Sequence, residues 1–256
     1  MQKIITWNVN SIGQRLARLL ALLDRWAPDV VCLQELKCID ENFPLAAIEA
    51  AGYHAVFHGQ KAFNGVALLS RELPLEAIKG LNDNVDDPQA RFISARFGEL
   101  TVASVYVPNG QTVGSEKYFY KLNWLERLRQ HLAAHYNPED SVIVAGDFNI
   151  APAPMDTHDP AVWEGQILCS ERERAALAAT LDLGFIDSFR DLNPGVTQFT
   201  WWDYRMLGFQ KNLGLRIDLL LASAGIKTRL RRCYVDRDER KGEKPSDHAP
   251  VILELA

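Results

Sequence analysis

Five apolar stretches of this chain end in, or are broken by, side chains able to hold a cation or move a proton. Asn8 and Asn10 close the run Ile4-Ile5-Thr6-Trp7, and Glu35 follows Val30-Val31-Cys32-Leu33-Gln34. Asp147 and Asn149 follow a run that begins at Ser141, and Asp218 interrupts Gly214–Leu221. Asp247 and His248 precede Ala249-Pro250-Val251-Ile252-Leu253. A carboxylate buried without a partner is costly, so acids in such places must meet a cation, a donor or water. Taken singly, most have a bland account. Asn8 or Asn149 can cap a turn, Glu35 and Lys37 can be a solvated pair, and Asp247-His248 can be a turn. Asp218, with leucines directly after it, is harder to explain so. Five interruptions of one kind at strand ends point to a shared rim.

Glu, Asp and Asn oxygens suit a hard cation, Mg²⁺ or Mn²⁺, and offer nothing soft for copper or thiolate zinc. Mg²⁺ keeps several waters and binds through few carboxylates plus substrate phosphate, so phosphate-ester cleavage fits the set better than carbonyl chemistry. An imidazole beside acids donates to a phosphate oxygen while a carboxylate orients its ring.

The elements that must position these groups are legible as short runs rich in Val and Ile. Strands are predicted over Lys3–Trp7, Asp29–Leu33, Val66–Ser70, Phe92–Phe97, Leu100–Tyr106, Ser141–Ala145, Arg216–Ala222 and Val251–Leu255. Helices are predicted over Gln14–Trp26, with Ser11 as N-cap, and over Glu116–His135 and Glu171–Leu183. No low-complexity segment or long linker divides the chain, so one domain over residues 1–256 is expected. Strands and helices mix without the regular alternation of a parallel barrel, which favours two packed sheets with helices outside. The segment Ile4–Asn10 echoes Val142–Asn149 as an apolar strand ending in two amide or acid groups two apart. Side chains alternate along an extended chain, so both members of each pair face the same way.

Apolar residues make up 47% and charged residues 24% of the 256, the balance of an ordinary globular protein. A net charge of -5 argues against a protein that coats nucleic acid non-specifically, but a metal site needs concentrated carboxylates and basic groups can be placed locally. Cys32, Cys38, Cys169 and Cys233 show no C-x-x-C pairing, and free thiols in a reducing compartment are expected. No apolar run reaches bilayer length, and Met1-Gln2-Lys3 leads straight into a strand, so the expected address is the cytoplasm.

A set of motifs then carries a resemblance that runs nearly end to end. They are Thr6-Trp7-Asn8-Val9-Asn10, Leu33-Gln34-Glu35-Leu36-Lys37, His58-Gly59-Gln60-Lys61, Asn64-Gly65-Val66-Ala67 and Tyr106-Val107-Pro108-Asn109-Gly110. Further along come Gly146-Asp147-Phe148-Asn149-Ile150, Phe199–Arg205, Leu213–Asp218 and Ser246-Asp247-His248-Ala249-Pro250. In this order and spacing the chain resembles the exonuclease III-like AP endonucleases of the exonuclease–endonuclease–phosphatase superfamily. The resemblance implies an α/β four-layered sandwich, two packed mixed β-sheets flanked by helices. It implies a Mg²⁺-dependent hydrolase (Mn²⁺ as the alternative ion) acting as a monomer on DNA with abasic sites or damaged or recessed 3′ ends. Glu35, Asn8 and Asp247 would serve the metal. Asp147 would orient or deprotonate the attacking water, aided by Asn149. His248 would contact a phosphate oxygen with Asp218 holding its ring, and Tyr106 would support the developing charge.

Trp201, Trp202 and Tyr204, interleaved with Arg205, Lys211 and Arg216, read as a DNA-facing loop, with at least one tryptophan expected in the core. Trp201, Arg205, Arg216, Lys61 and Arg91 are the expected DNA contacts. Lys227–Lys244 mixes basic residues, five of them arginine, with four acids and reads as a solvated face. One departure stands out. Where relatives carry a small residue and then Phe-Leu-Pro-Glu-Glu-Arg, this chain reads Leu168-Cys169-Ser170-Glu171-Arg172-Glu173-Arg174. Leu168 is therefore expected to obstruct a continuous strand, weakening abasic-site incision relative to 3′-end trimming. The rival readings are a superfamily relative acting on RNA or a small phosphodiester, and a catalytically silent DNA-binding domain.

Overall fold

The computed structural model describes residues 1–256 as two six-stranded sheets packed face to face, with helices on both outer faces. Fourteen strands run in chain order as β1 (Gln2–Asn8), β2 (Val30–Gln34), β3 (His54–His58), β4 (Val66–Ser70), β5 (Leu75–Lys79), β6 (Phe92–Phe97) and β7 (Leu100–Tyr106), then β8 (Val142–Asp147), β9 (Phe185–Asp187), β10 (Trp201–Trp202), β11 (Gly214–Leu215), β12 (Asp218–Ser223), β13 (Leu230–Val235) and β14 (Val251–Leu255). The helices are α1 (Ile12–Trp26), α2 (Leu45–Ala50), α3 (Glu116–His135), α4 (Pro160–Trp163), α5 (Glu171–Leu181) and α6 (Ser188–Leu192). One sheet has the order β13-β14-β1-β2-β4-β3 and the other β5-β6-β7-β8-β12-β9; β10 and β11 form a separate small hairpin. Each large sheet is mixed, with one parallel pair at its centre. These pairs are β1 with β2, crossed over by α1, and β7 with β8, crossed over by α3.

Alternation along the strands builds three cores. On β1, Ile5 and Trp7 face outward onto Ile12, Leu19, Leu22 and Leu23 of α1, while Ile4 faces the opposite sheet. On β8, Val142 and Val144 meet Trp124, Leu125, Leu128 and Leu132 of α3, while Ile143 and Ala145 face inward. β12 repeats the pattern, with Leu219 and Leu221 outward and Leu220 and Ala222 inward. The inward rows turn polar toward one rim. Thr6 Oγ1 meets Gln34, whose Nε2 donates to Ser104 Oγ of β7 across the gap at 3.0 Å.

Strand and helix bounds match the sequence reading to within a few residues, with instructive differences. Ser11 precedes α1 but does not cap it: its φ is +85° and its hydroxyl makes no cap bond, because its backbone N–H is drawn to Glu35 O at 2.7 Å. α5 does carry a full capping box between Ser170 and Glu173. The stretch read as a solvated face contains edge strand β13, and Glu239 and Arg240 are buried in it. Glu239 receives Arg18 and Arg25, while Arg240 donates to the Ser246 carbonyl and lies against Trp202, Tyr204 and Phe209. An amphipathic arginine so placed fills the hydrophobic shell as much as it carries charge.

Gly146 lets β8 lie close to β7 just before Asp147: a Cβ there would stand 1.9 Å from the Val105 carbonyl oxygen, on a φ of +154°. Backbone cannot yield as a flexible side chain does. Gly146→Ala is therefore expected to lower stability by about 3 kcal/mol or more, read as a fall in the chemical-denaturation midpoint; an unchanged midpoint would show that the strands separate freely here.

Candidate active site

The inward rows of four strands end together. β8 lies between β7 and β12, in a register that sets Tyr106 and Asp218 directly beside Asp147. From the other sheet come Asn8 at the end of β1 and Glu35 just past β2. Glu35 (φ +54°), Asn10 (φ +44°) and Asn149 (φ +50°) all adopt the left-handed conformation, which turns the chain sharply as each strand ends.

Asn8 ties the sheets together. Its Nδ2 donates to Glu35 Oε1 and to Asp147 Oδ2, each at 2.9 Å, and its Oδ1 accepts the Asn10 N–H. The second Asp147 oxygen accepts the Asn149 N–H at 2.9 Å. His248 approaches Asp147 Oδ2 through Nε2 at 3.7 Å, while its Nδ1 meets Asp218 at 2.8 and 3.1 Å. The turn carrying the imidazole is fixed in turn: Ser246 Oγ donates to the Asn8 carbonyl and accepts the His248 N–H, and Trp7 Nε1 donates to the His248 carbonyl. Lys37 Nζ reaches Glu35 at 2.8 Å and Asn10 Oδ1 at 2.5 Å.

Burial pushes the Asp147 carboxyl well above the usual carboxylate range; Asp218 and Glu35 add to this, against His248 and Asn8. Burial disfavours the imidazolium of His248, but Asp218 and Asp147 outweigh it and raise its pKa. Burial, Glu35 and Asp147 keep the Tyr106 phenol protonated far into the alkaline range. Asp247 is also buried, yet His248, Asn10 and Trp201 hold it below its ordinary value.

Ligand atoms of Glu35, Asp147 and His248 lie within 4.8 Å of one another; the two carboxylates suit a divalent cation, while the imidazole, whose protonated form Asp218 and Asp147 favour, stands beside them as a donor. Two carboxylates converge there with too little positive charge nearby, which is the imbalance a hard cation relieves. The other two residues expected to serve the metal stand beside these carboxylates. Asn8 turns its amide nitrogen, not its oxygen, toward the carboxylates, so it positions them. Asp247 stands outside the trio with its oxygens engaged by Asn10 Nδ2 at 2.8 Å and Trp201 Nε1 at 3.0 Å.

The sequence model of the Endonuclease/Exonuclease/phosphatase family matches residues 5–248. The chain belongs to this family. Exodeoxyribonuclease III of Haemophilus influenzae is 38% identical over 99% of both chains, and an exodeoxyribonuclease of Bacillus subtilis is 31% identical over 98% of both. Among solved structures, the 3′ phosphatase NExo from Neisseria bound to product DNA hairpin has a TM-score of 0.97 and 42% identity, covering 100% of both chains. An AP endonuclease from Archaeoglobus fulgidus has a TM-score of 0.96 and 40% identity, covering 100% of this chain and 99% of the other. The family's exonuclease III-like branch is therefore the one this chain joins, and its fold is the α/β sandwich expected.

The family fold sorts the expected DNA contacts unevenly. Trp201 borders the site, bridged to His248 on the backbone and bonded to Asp247; Trp202 is core. Lys61 is exposed on the loop after β3. Arg205 is exposed with its guanidinium folded back on Asp203. Arg91 is nearly buried, stacked 4.8 Å from the Tyr106 ring centroid, and donates to Gln89 and the Tyr106 carbonyl. It forms one wall of an open cleft of about 560 Å³ that Gln60, Asn64, Tyr106, Asn109 and Lys117 also line. Arg216 is a correction. Only 1% exposed, it bonds Asp156 at 2.7 Å and Asp187 at 2.7 Å, and no phosphate can reach it. Leu168 is 5% exposed, in a small core with Ala151, Leu215 and Ile217 that Trp201 packs against, on a backbone of φ +71°. Sequence reasoning passed over Lys121 and Glu173, both fully buried in contact beneath the Asp147–Asn149 turn. The signal was present: Lys121 occupies the apolar face of α3 between Tyr118, Leu125 and Leu128.

Asp147 and His248 both bind protons more tightly in the folded chain than in the unfolded one. Their contribution to stability is thus complete at low pH and is lost as pH rises through the raised values. The melting temperature of metal-free protein is expected to fall from neutral pH into the alkaline range. Asp218→Asn, which removes the charge that most favours the imidazolium, should flatten that fall, and an equal slope in both proteins would refute the assignment.

Proposed function

We propose that this chain is a DNA repair nuclease, a single domain that hydrolyses the bond between phosphorus and the 3′ oxygen at damaged, phosphorylated or recessed 3′ ends. The same bond is broken when a strand is incised 5′ to an abasic site, so one site serves exonuclease, 3′-phosphatase and abasic-site activity. The observation that carries this reading is the convergence of Glu35, Asp147 and His248 from separate strands and loops within 4.8 Å. The relatives are a second support, since they are named as exodeoxyribonucleases, an AP endonuclease and a 3′ phosphatase bound to DNA.

The residues take the following roles. Asp147, fixed at both oxygens by Asn8 and the Asn149 N–H, accepts a proton from the attacking water. Its raised proton affinity suits it to that task. His248, charged and braced by Asp218, donates from Nε2 to a non-bridging phosphate oxygen. Tyr106, which keeps its proton, donates to the same phosphate as charge builds up. Glu35, with the Asp147 carboxylate near it, would hold Mg²⁺ or Mn²⁺; when bound, the ion would neutralise charge on the phosphate and on the departing 3′ oxygen. Trp201 and Lys61 border the DNA path, and Asp247 with Asn10 keeps Trp201 in place. The cysteines are all free thiols, which supports a reducing, cytoplasmic setting. No helix is long and apolar enough to cross a membrane.

The test uses duplexes with a recessed 3′ end, a 3′ phosphate or an internal abasic analogue, each with Mg²⁺, Mn²⁺ or chelator. All cleavage should stop in chelator, and Asp147→Asn or His248→Asn should each cost about 100-fold or more in kcat. Full activity of Asp147→Asn, or preference for an RNA end or a small phosphodiester over every DNA substrate, would overturn the reading.

A further inference from the structure

The ammonium of Lys121 is completely buried in the middle of α3, on the face that otherwise packs the core. Its three partners come from three different segments. It donates to the Asn149 carbonyl at 2.6 Å, to the Asn109 carbonyl at 3.2 Å and to Glu173 Oε1 at 2.5 Å. Glu173, equally buried, uses its remaining capacity on the Leu168 N–H, the Ser170 N–H and the Ser170 hydroxyl. One ion pair therefore fastens the loop after β7, the loop after β8 and the segment leading into α5.

The link to the chemistry is a single residue. Asn149 stands at φ +50°, a conformation that turns its carbonyl into the interior, where an unmet acceptor would be costly. Lys121 meets that carbonyl, and the N–H of the same residue is the group that holds Asp147 Oδ1 at 2.9 Å. The side chain of Asn149 is locked as well, by Asn109 Nδ2 at 3.1 Å and the Val107 carbonyl at 3.0 Å. Space for this arrangement depends on Gly110, where a Cβ would come within 3.1 Å of Lys121 Cδ and 2.9 Å of Ile167.

We infer that Lys121 is a positioning residue for phosphodiester hydrolysis, setting the angle of the Asp147 carboxylate through the backbone of Asn149, whose carbonyl it holds and whose N–H holds the carboxylate. The inference rests on the reading of Asp147 as the proton acceptor. An ion pair that acted on stability alone could be exchanged for neutral groups of similar volume with little effect on rate. A positioning pair could not, because small displacements of a proton acceptor cost large factors in kcat.

The experiment replaces both charges at once, in Lys121→Met/Glu173→Gln, so that neither is stranded. Steady-state kinetics use a duplex ending in a 3′ phosphate with Mg²⁺, with circular-dichroism melting as the check on folding. The folded variant is expected to lose about 30-fold or more in kcat with KM changed by less than about threefold. Added to Asp147→Asn, the same replacement should cost less than about threefold further, since Lys121 acts through that carboxylate. Parental kcat in the folded variant, or full additivity with Asp147→Asn, overturns the inference. Should the double variant not fold, Lys121→Arg alone decides: it keeps a cation against Glu173 but replaces the ammonium that reaches the Asn149 carbonyl, so a loss of about tenfold or more in kcat with KM retained supports the assignment, and parental kcat refutes it. A parent inert on every DNA substrate counts against the nuclease reading and takes this inference with it, whereas an active parent with an equally active variant defeats the inference alone.

Discussion

Two sheets packed face to face share one inward row of side chains per strand, and here each central row runs from apolar to polar toward the same rim. On β1 the row is Ile4, Thr6, Asn8; on β7 it is Val102, Ser104, Tyr106; on β8 it is Ile143, Ala145, Asp147. On β12, which runs the other way, it is Ala222, Leu220, Asp218. The register that buries the apolar members therefore also delivers the acids into one cleft. A slip by one residue in β8 or β12 would turn a carboxylate against a helix and an apolar side chain into the cleft, and a slip in β1 or β7 would do the same to Asn8 or Tyr106. Core and site are specified by the same alternation, so neither can be altered without the other.

The charged groups divide by whether they are balanced. Arg216 and Arg190 meet Asp156 and Asp187, Lys121 meets Glu173, and Arg18 and Arg25 meet Asp236 and Glu239. Each of these sets is closed: acids and bases match, and the remaining donors are satisfied mostly by backbone carbonyls. The rim is different. Glu35, Asp147, Asp218 and Asp247 converge on one imidazole and Lys37, with neutral amides from Asn8 and Asn10 covering the rest. Balanced sets need nothing from outside, whereas this excess of negative charge in a low-dielectric cleft draws a cation and raises the proton affinity of Asp147.

That contrast explains what was legible in the sequence. The acids that end apolar strands were visible because their neighbours are apolar and their spacing keeps them on one face, as with Asp147 and Asn149. The central strands were visible for the same reason. Edge strands such as β5, with mostly exposed residues, and β13, inside a run of mixed charge, lacked the apolar signal and went unread. Arg216 misled because position beside aromatic and basic residues looks like a nucleic-acid surface, while its partners Asp156 and Asp187 lie far away in sequence. For Leu168 the bulk is plain in the sequence, but its packing with Ala151, Leu215 and Ile217 is not. Long-range pairing of charges, and the side on which a loop residue packs, are decided by tertiary contacts that local patterns do not encode.

Backbone strain gathers where these segments meet. Asn10, Ser11, Glu35, Lys37, Asn64, Asn149 and Leu168 all have positive φ, and none is glycine. For a residue other than Gly or Asn the left-handed conformation costs roughly 1 kcal/mol or more. Glycine would adopt these angles freely, but glycine at Glu35, Lys37 or Asn149 would remove the carboxylate, the ammonium or the amide that the cleft uses. The strain is held by bonds that the neighbouring segments supply: Ser11 N–H to the Glu35 carbonyl, Lys37 N–H to the Asn64 carbonyl, and Lys121 to the carbonyl of Asn149. A sharp turn directly after each strand is what lets a side chain leave the pleat and point across the rim instead of along it. The costly conformations and the chemistry therefore occupy the same residues, and the surrounding hydrogen bonds, more than local propensity, keep them there.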